Sequence, residues 1–295
     1  MEKQICPHCK SQEVVKRGYF QTAKNGKQQR YFCKSCNKKF IEQTPFYRMR
    51  NSEKKITLCL DLFFKGVSTR QIQSHLQAFY PHNSSWVTIY NWVIKYSKQI
   101  SKFTDNLKLK VGKEIQIDEM EIGSRKSQYR GYFIDSIDTE TRFMVASEFT
   151  KDRDIKQIKE ILANAKRKTE NQIEVVTSDS WRAYPQAIQK SFTLKNKSNT
   201  RKFGVIHNKI CASKGDGFNH KIERLHNSVR QRMTSCRGFH GSTESANILM
   251  KGFEIHYNFI RKHLALNKTP SELATDIRLN GNKWLELINL SQQTN

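Results

Sequence analysis

Glu114-Ile115-Gln116-Ile117-Asp118-Glu119 decides how this chain is read. Ile115 and Ile117 alternate with polar neighbours, the period-2 pattern of a half-buried strand, and Asp118 ends the alternation. Working outward, Arg130-Gly131-Tyr132-Phe133-Ile134-Asp135 and Arg142-Phe143-Met144-Val145-Ala146-Ser147 read as a second and third strand, joined by the turn Asp138-Thr139-Glu140. Asp154 to Arg167 carries Ile155, Ile158, Ile161 and Leu162 at helical spacing. Ile173 to Thr177 is a β-branched fourth strand, followed by a helix from Trp181 to Gln189 and another from Asn219 to Arg237. Antiparallel strands followed by a helix and a parallel strand predict an α/β domain around a mixed sheet.

Three carboxylates occupy telling places in this pattern. Asp118 closes the first strand, Asp179 follows Val175-Val176-Thr177, and Glu223 lies on the long helix. Acids are scarce, 27 Asp+Glu against 52 Lys+Arg for a net charge of +25. Two strand-end aspartates and a helical glutamate can converge on a pair of divalent cations, for which carboxylate oxygens are the matching donors. At 100° per residue, Glu223, Asn227 and Arg230 fall within about 40° of one helix face, while Ile222, Leu225 and Val229 face a core. Arg230 thus lies two turns after Glu223 on that face. Glu119 points to the opposite side of its strand and is not taken as a ligand. Asp135 and Asp138 are read as strand-end or turn residues. Asp216 lies in the loop Gly215-Asp216-Gly217, without the helical surroundings of Glu223.

Composition narrows the class. A hydrophobic content of 37% with 17 Phe, 10 Tyr and 4 Trp suits a folded chain of 295 residues with two or three domains. No apolar run is long enough for a membrane span, and the N-terminus lacks the apolar stretch of a signal peptide, so a cytoplasmic protein on chromosomal DNA is expected. Residues 1–50 hold twelve Lys/Arg and three Asp/Glu, and Ser180 to Gly215 holds eight Lys/Arg and no acid. A 36-residue stretch without a carboxylate beside Asp179 reads as a track for a polyanion.

Cys6-Pro7-His8-Cys9 and Cys33-Lys34-Ser35-Cys36 are two CxxC knuckles 23 residues apart. Four thiolates at this spacing predict a zinc ribbon of Cys6, Cys9, Cys33 and Cys36, with Gly18-Tyr19-Phe20 and Gln29-Arg30-Tyr31-Phe32 as strands, Asn25-Gly26 as the turn, and His8 as a spacer. Basic and aromatic residues interleave there, and Arg30 is a candidate DNA contact. Cys59, Cys211 and Cys236 are isolated and read as packing residues. Residues 51 to about 105 read as three helices: Ser52 to Phe64 closed by Lys65-Gly66, one opening at Ser68, and Trp86 to Ile100 capped by Ser84-Ser85. This matches a helix-turn-helix unit whose third helix offers Thr88, Asn91 and Lys95 to DNA. Beyond the third acid, Ser242/Thr243 cap a helix, and Thr269-Pro270-Ser271-Glu272 predicts a capping box. His256, Arg261 and His263 fit either DNA contact or a structural role; Trp181 and Tyr184 fit either nucleotide stacking or core packing.

Several motifs together resemble the DDE-type insertion-sequence transposases: Ile117-Asp118-Glu119; Thr177-Ser178-Asp179-Ser180-Trp181-Arg182-Ala183-Tyr184; Asn219-His220-Lys221-Ile222-Glu223-Arg224-Leu225-His226; Arg237-Gly238-Phe239; and His256-Tyr257-Asn258-Phe259-Ile260-Arg261-Lys262-His263. The 43 residues between Asp179 and Glu223 exceed the family's usual spacing, which Asp216, 36 residues on, would meet. The resemblance implies a ribonuclease H-like catalytic domain with a five-stranded sheet, and Asp118, Asp179 and Glu223 as catalytic ligands of two Mg²⁺ or Mn²⁺ ions. It further implies terminal inverted repeats and target DNA as partners, a homodimer or larger assembly on DNA, Arg230, where the family often carries a basic residue, at DNA phosphate near the metals, and Arg182 among the DNA contacts. The expected architecture is a zinc ribbon at 1–47, a helix-turn-helix domain at 50–106, the catalytic domain at 110–275 and a tail at 276–295. A non-catalytic DNA-binding protein and a metal-dependent nuclease without strand transfer are the rival readings.

Overall fold

The computed structural model describes residues 4–22, 26–41, 44–47, 49–80, 84–123, 130–195, 201–211, 219–235 and 242–293. Asn25, Asp216, Cys236 and the motif Arg237-Gly238-Phe239 lie outside them. The chain divides into two compact units, Met1–Leu58 and Cys59–Asn295. Among the described residues no helix is long and apolar enough to cross a membrane.

The first unit is built on a three-stranded antiparallel sheet of β1 (Val14–Thr22), β2 (Gly26–Cys33) and β3 (Lys39–Ile41). The β1–β2 register slips between Lys16 and Tyr19, where Gly18 adopts φ +70°, the left-handed conformation of a bulge. Its core is only Cys6, Tyr31, Cys33 and Phe40, with Val14 and Cys36 packed on it. So little apolar mass leaves a metal as the natural organiser of the unit.

Helix α1 (Glu53–Phe64) ends at Gly66, whose φ of +98° closes the turn. Ser68 then caps α2 (Thr69–Phe79) in a reciprocal capping box with Gln71, and Ser85 caps α3 (Trp86–Thr104). In the second unit, α3 packs against α7 (Thr243–Ile255) and α9 (Lys283–Gln293). Gln99 fixes the last contact by donating to the Ile288 carbonyl at 3.2 Å and Ser291 Oγ at 2.9 Å. The C-terminal segment thus packs on its own chain.

The second unit centres on a five-stranded sheet in the order β10-β7-β4-β5-β6. Strands β4 (Glu114–Ile122), β5 (Gly131–Asp138) and β6 (Met144–Thr150) form an antiparallel meander. After α4 (Ile155–Lys168), β7 (Val175–Ser178) pairs parallel to β4; after α5 (Ala183–Phe192) and the small hairpin β8 (Thr193–Lys195) and β9 (Arg201–Phe203), β10 (Ile206–Lys209) pairs parallel to β7. Mixed sheet, strand order and helices make this a ribonuclease H-like domain. Helix α6 (His220–Ser235) crosses β4 and β5, Ile222, Leu225 and Val229 turning inward.

Edge strand β6 is covered by side chains rather than by another strand. Asn258, in the single π-helical turn His256–Ile260, accepts from Met144 N at 2.8 Å and donates to Met144 O at 2.9 Å, and Asn247 accepts from Phe149 N. The short α8 (Pro270–Ala274) starts with Pro270 as expected, but Thr269 makes no side-chain cap. Its hydroxyl bonds Glu272 and Ser271 instead, so the expected capping box does not form.

Candidate active site

The parallel register pairs Gln116 with Thr177. Continued by two residues, it sets Asp118 opposite Asp179, which lies just past the end of β7. Strand β4 runs on to Ile122, so Asp118 sits inside its strand and does not close it as expected, because the pairing with β5 continues beyond it. Asp179 accepts from Trp181 N at 2.8 Å, which turns the chain into α5 and fixes the carboxylate at the strand mouth. On the helix above, Ile222 N reaches Gln116 Oε1 at 3.3 Å, and His226 reaches Asp118 and Asp135. Glu223 lies between these anchors and is exposed, as are Asn227 and Arg230 on the same face. Among the described residues, only the four cysteines form a group of metal-ligating atoms all within 4.8 Å of one another. Asp118, Asp179 and Glu223 do not form such a group.

Electrostatics single out Asp118. Burial, with Glu119 and Asp135 adding to it against His226 and a backbone N–H, lifts its pKa to about 7. Asp179 is raised as well, by burial first, with Glu119 also contributing. Carboxylates held in short supply of positive charge, offering hard oxygen donors, fit divalent cations.

One residue read as a bystander proves integral. Asp135 is not a turn residue: it sits inside β5, wholly buried, opposite Asp118 in the register. It pairs with buried His226 Nε2 at 2.6 Å, while His226 Nδ1 stands 3.7 Å from Asp118 Oδ2. Burial alone would deprotonate His226; Asp135 and then Asp118 outweigh it and raise its pKa. The signal was obscure because Asp135 and His226 are 91 residues apart in sequence. Asp138, by contrast, is the turn residue expected, accepting from Gly112 N, Thr141 N and Thr141 Oγ1.

Glu119 points to the other face, as alternation requires, and is locked there by Arg153 Nη1 at 2.6 Å and by the Tyr184 hydroxyl. Tyr184 is therefore a core residue and not a stacking platform. Trp181 lies between two cations, Arg153 4.1 Å and Arg182 5.8 Å from its ring centroid, and Arg182 is exposed. On α3, Asn91 and Lys95 are exposed, and Thr88 is half-buried beside the cap, its hydroxyl 3.0 Å from Ser85 Oγ.

In the first unit, Cys6 Sγ lies 3.6 Å from Cys36 Sγ and Cys9 Sγ 3.5 Å from Cys33 Sγ. A tetrahedron with metal–sulfur bonds of about 2.3 Å has edges of about 3.8 Å, so the cluster fits one zinc ion. Burial opposes ionisation of Cys33, but N–H groups of Cys36 and Ser35 and the neighbouring thiols bring its pKa to about 6, the thiolate form a metal takes. His8 is exposed and outside the cluster. Arg30 stacks 5.3 Å from the Phe20 centroid on the hairpin. Cys59 is buried and Cys211 half-buried, away from the cluster.

Fold and site define an enzyme of the ribonuclease H-like class that transfers polynucleotidyl groups. Residues 113–264, about half the chain, match the family model described as a DDE domain, that of the IS240-type transposases. The chain belongs to this DDE transposase family. No curated protein sequence matches it. Similar solved structures include the HTLV-2 integrase catalytic core in complex with magnesium, at 13% identity over 55% of this chain and 97% of that one, with a TM-score of 0.39. Another is the simian T-cell lymphotropic virus intasome in complex with the PP2A regulatory subunit B56 gamma, at 11% identity over 76% of each chain, with a TM-score of 0.42.

Proposed function

We propose that this transposase binds the terminal repeats of its element, cleaves the DNA ends and joins the 3′-hydroxyls to target DNA at a site formed by Asp118, Asp179 and Glu223. The observation that supports the reading is the strand register that sets Asp118, inside β4, opposite Asp179, just past the end of β7, with α6, the helix bearing Glu223, packed on β4. These carboxylates would hold two Mg²⁺ or Mn²⁺ ions, which when bound activate the attacking oxygen and stabilise the leaving one. Asp118, on a strand paired on both sides, would hold the ions together with Asp179 and Glu223. His226, held by Asp135, keeps the Asp118 carboxylate oriented from behind.

Arg230, Arg182 and the acid-free stretch after Asp179 would carry backbone phosphates toward the acids. Thr88, Asn91 and Lys95 on α3 would read the repeat, and Arg30 on the zinc-bearing ribbon would add a backbone contact. Each element end needs its own set of acids, so the working species is a dimer or larger assembly on DNA. Removing one metal ligand forfeits several kcal/mol of transition-state stabilisation, a loss on the order of a thousandfold. A strand-transfer assay with Mg²⁺ and labelled repeat ends therefore tests the reading: Asp179→Asn joining ends at the wild-type rate would refute it. Cutting without joining by the wild type would make the protein a nuclease, and binding without cutting a DNA-binding protein alone.

A further inference from the structure

A second concave site lies on the flank of α6, separate from the face that carries Glu223, Asn227 and Arg230. It is a cavity of about 560 Å³ between α6, the turn after β5 and the segment following the π-helical turn. Its charge is one-sided. Arg142, Lys221, Arg224 and Arg261 line it, no carboxylate does, and none of the four forms an ion pair with any described residue. The most buried cations of this unit, by contrast, are matched: Lys168 and Lys251 to Asp105 and Glu254.

The Arg261 guanidinium is held in place. Arg261 donates to Ser228 Oγ at 3.2 Å and lies 5.8 Å from the centroid of the Tyr257 ring, so its position is built by the fold. Arg142 sits at φ +61°, a left-handed backbone that an arginine rarely adopts. Arg261, Arg142 and Arg224 all act on His263, whose pKa is lowered by burial and then by these three charges. All three line the same cavity as His263. His263 Nδ1 is buried without a hydrogen-bond partner.

Unneutralised guanidinium groups around a cavity of this size are a site for a doubly liganded anionic oxygen group, which Arg binds with parallel N–H donors. Given the proposed DNA substrate, on which this inference rests, the position fixes which phosphate. Arg224 follows Glu223 directly and is turned about 100° from it on α6. We propose that the cavity clamps a backbone phosphodiester of the duplex away from the bond that is cut, so that α6 grips DNA on two sides, at the acids and at Arg142, Arg224 and Arg261. Register of the scissile bond would then be set at two points.

The test needs DNA binding only. Asp179→Asn protein, which keeps the cavity intact, is compared with the same protein carrying Arg224→Gln and Arg261→Gln, and with a control carrying Lys156→Gln and Lys159→Gln on α4, which removes equal charge elsewhere. Binding of a fluorescein-labelled duplex is followed by anisotropy between about 50 and 200 mM KCl. The cavity variant should bind on the order of tenfold more weakly than the control, with a log K against log salt slope shallower by about two. Arg142→Asn, with a residue suited to the left-handed backbone, guards against misfolding and should flatten the slope by about one. Slopes and affinities equal to the control in both variants would overturn the proposal. So would displacement of nothing but pyrophosphate or ATP by these substitutions, which would make the cavity a free-polyphosphate site. If the wild type binds duplex yet joins no ends, the acids' assignment fails while this one stands.

Discussion

Two buried charge clusters sit in the same unit and obey opposite rules. Between α3, α4 and α7, two acids meet two lysines: Lys168 lies 3.1 Å from Asp105 and 3.7 Å from Glu254, and Lys251 lies 3.1 and 3.0 Å from the same pair. Asp105 is held below the usual carboxylate range and Lys251 is pushed up to about 12, because each charge has found its opposite. At the mouth of β4 and β7, Asp118, Glu119 and Asp135 share one histidine and one arginine, and Asp179 and Glu223 form no ion pair with a described residue. There Asp118 is raised to about 7. Balance marks a cluster that serves the fold; imbalance marks one waiting for a partner of the missing sign.

The largest effect should come from breaking the balanced cluster. Lys168→Met leaves Glu254 and Asp105 short of a partner in a buried place and should cost about 3 kcal/mol in urea unfolding. The same kind of neutralisation in the acid cluster should act in reverse. Asp118→Asn should stabilise the metal-free protein by about 1–2 kcal/mol at pH 8, because an ion disfavoured by its surroundings is removed. Mg²⁺ should then raise the melting temperature of the wild type and not of the variant.

The sign of the pH dependence sharpens the contrast. Asp118 has a folded pKa of about 7 against an ordinary 3.8, so between those values the folded state holds a proton the unfolded chain has released. Its contribution is intact below about pH 4 and is lost as pH rises through 7, so metal-free wild type should lose stability over that window more steeply than Asp118→Asn. Asp105 runs the other way: depressed, it stabilises above its ordinary pKa of 3.8 and loses that contribution under stronger acid. A last effect concerns packing alone. A Cβ on Gly252 would come within 2.3 Å of the Phe64 ring and 2.6 Å of Ser97 Oγ, so Gly252→Ala should cost about 1–3 kcal/mol without touching strand transfer per folded molecule.

How much of this could be read from residues alone follows a physical line. Strands β4 and β7 were legible because β-branched or alternating runs lead into Asp118 and Asp179, and α6 because Ile222, Leu225 and Val229 repeat at helical spacing. Strand β10 was not: Ile206-His207-Asn208-Lys209 is a short, mostly exposed edge, and its polar residues look like more of the basic stretch. Asp135 was misread for a different reason. A carboxylate in mid-strand makes sense only through a partner that folding delivers from a distant helix. Charge balance is likewise a property of space; the cysteine knuckles, being local, could be seen at once.

The amide of Asn258 has one more consequence. By occupying both main-chain groups of Met144, it leaves that rung of the outer strand with nothing to offer a foreign polypeptide, and Asn247 does the same at Phe149 N. If copies gather on DNA as proposed, their sheets cannot zip together at these two rungs.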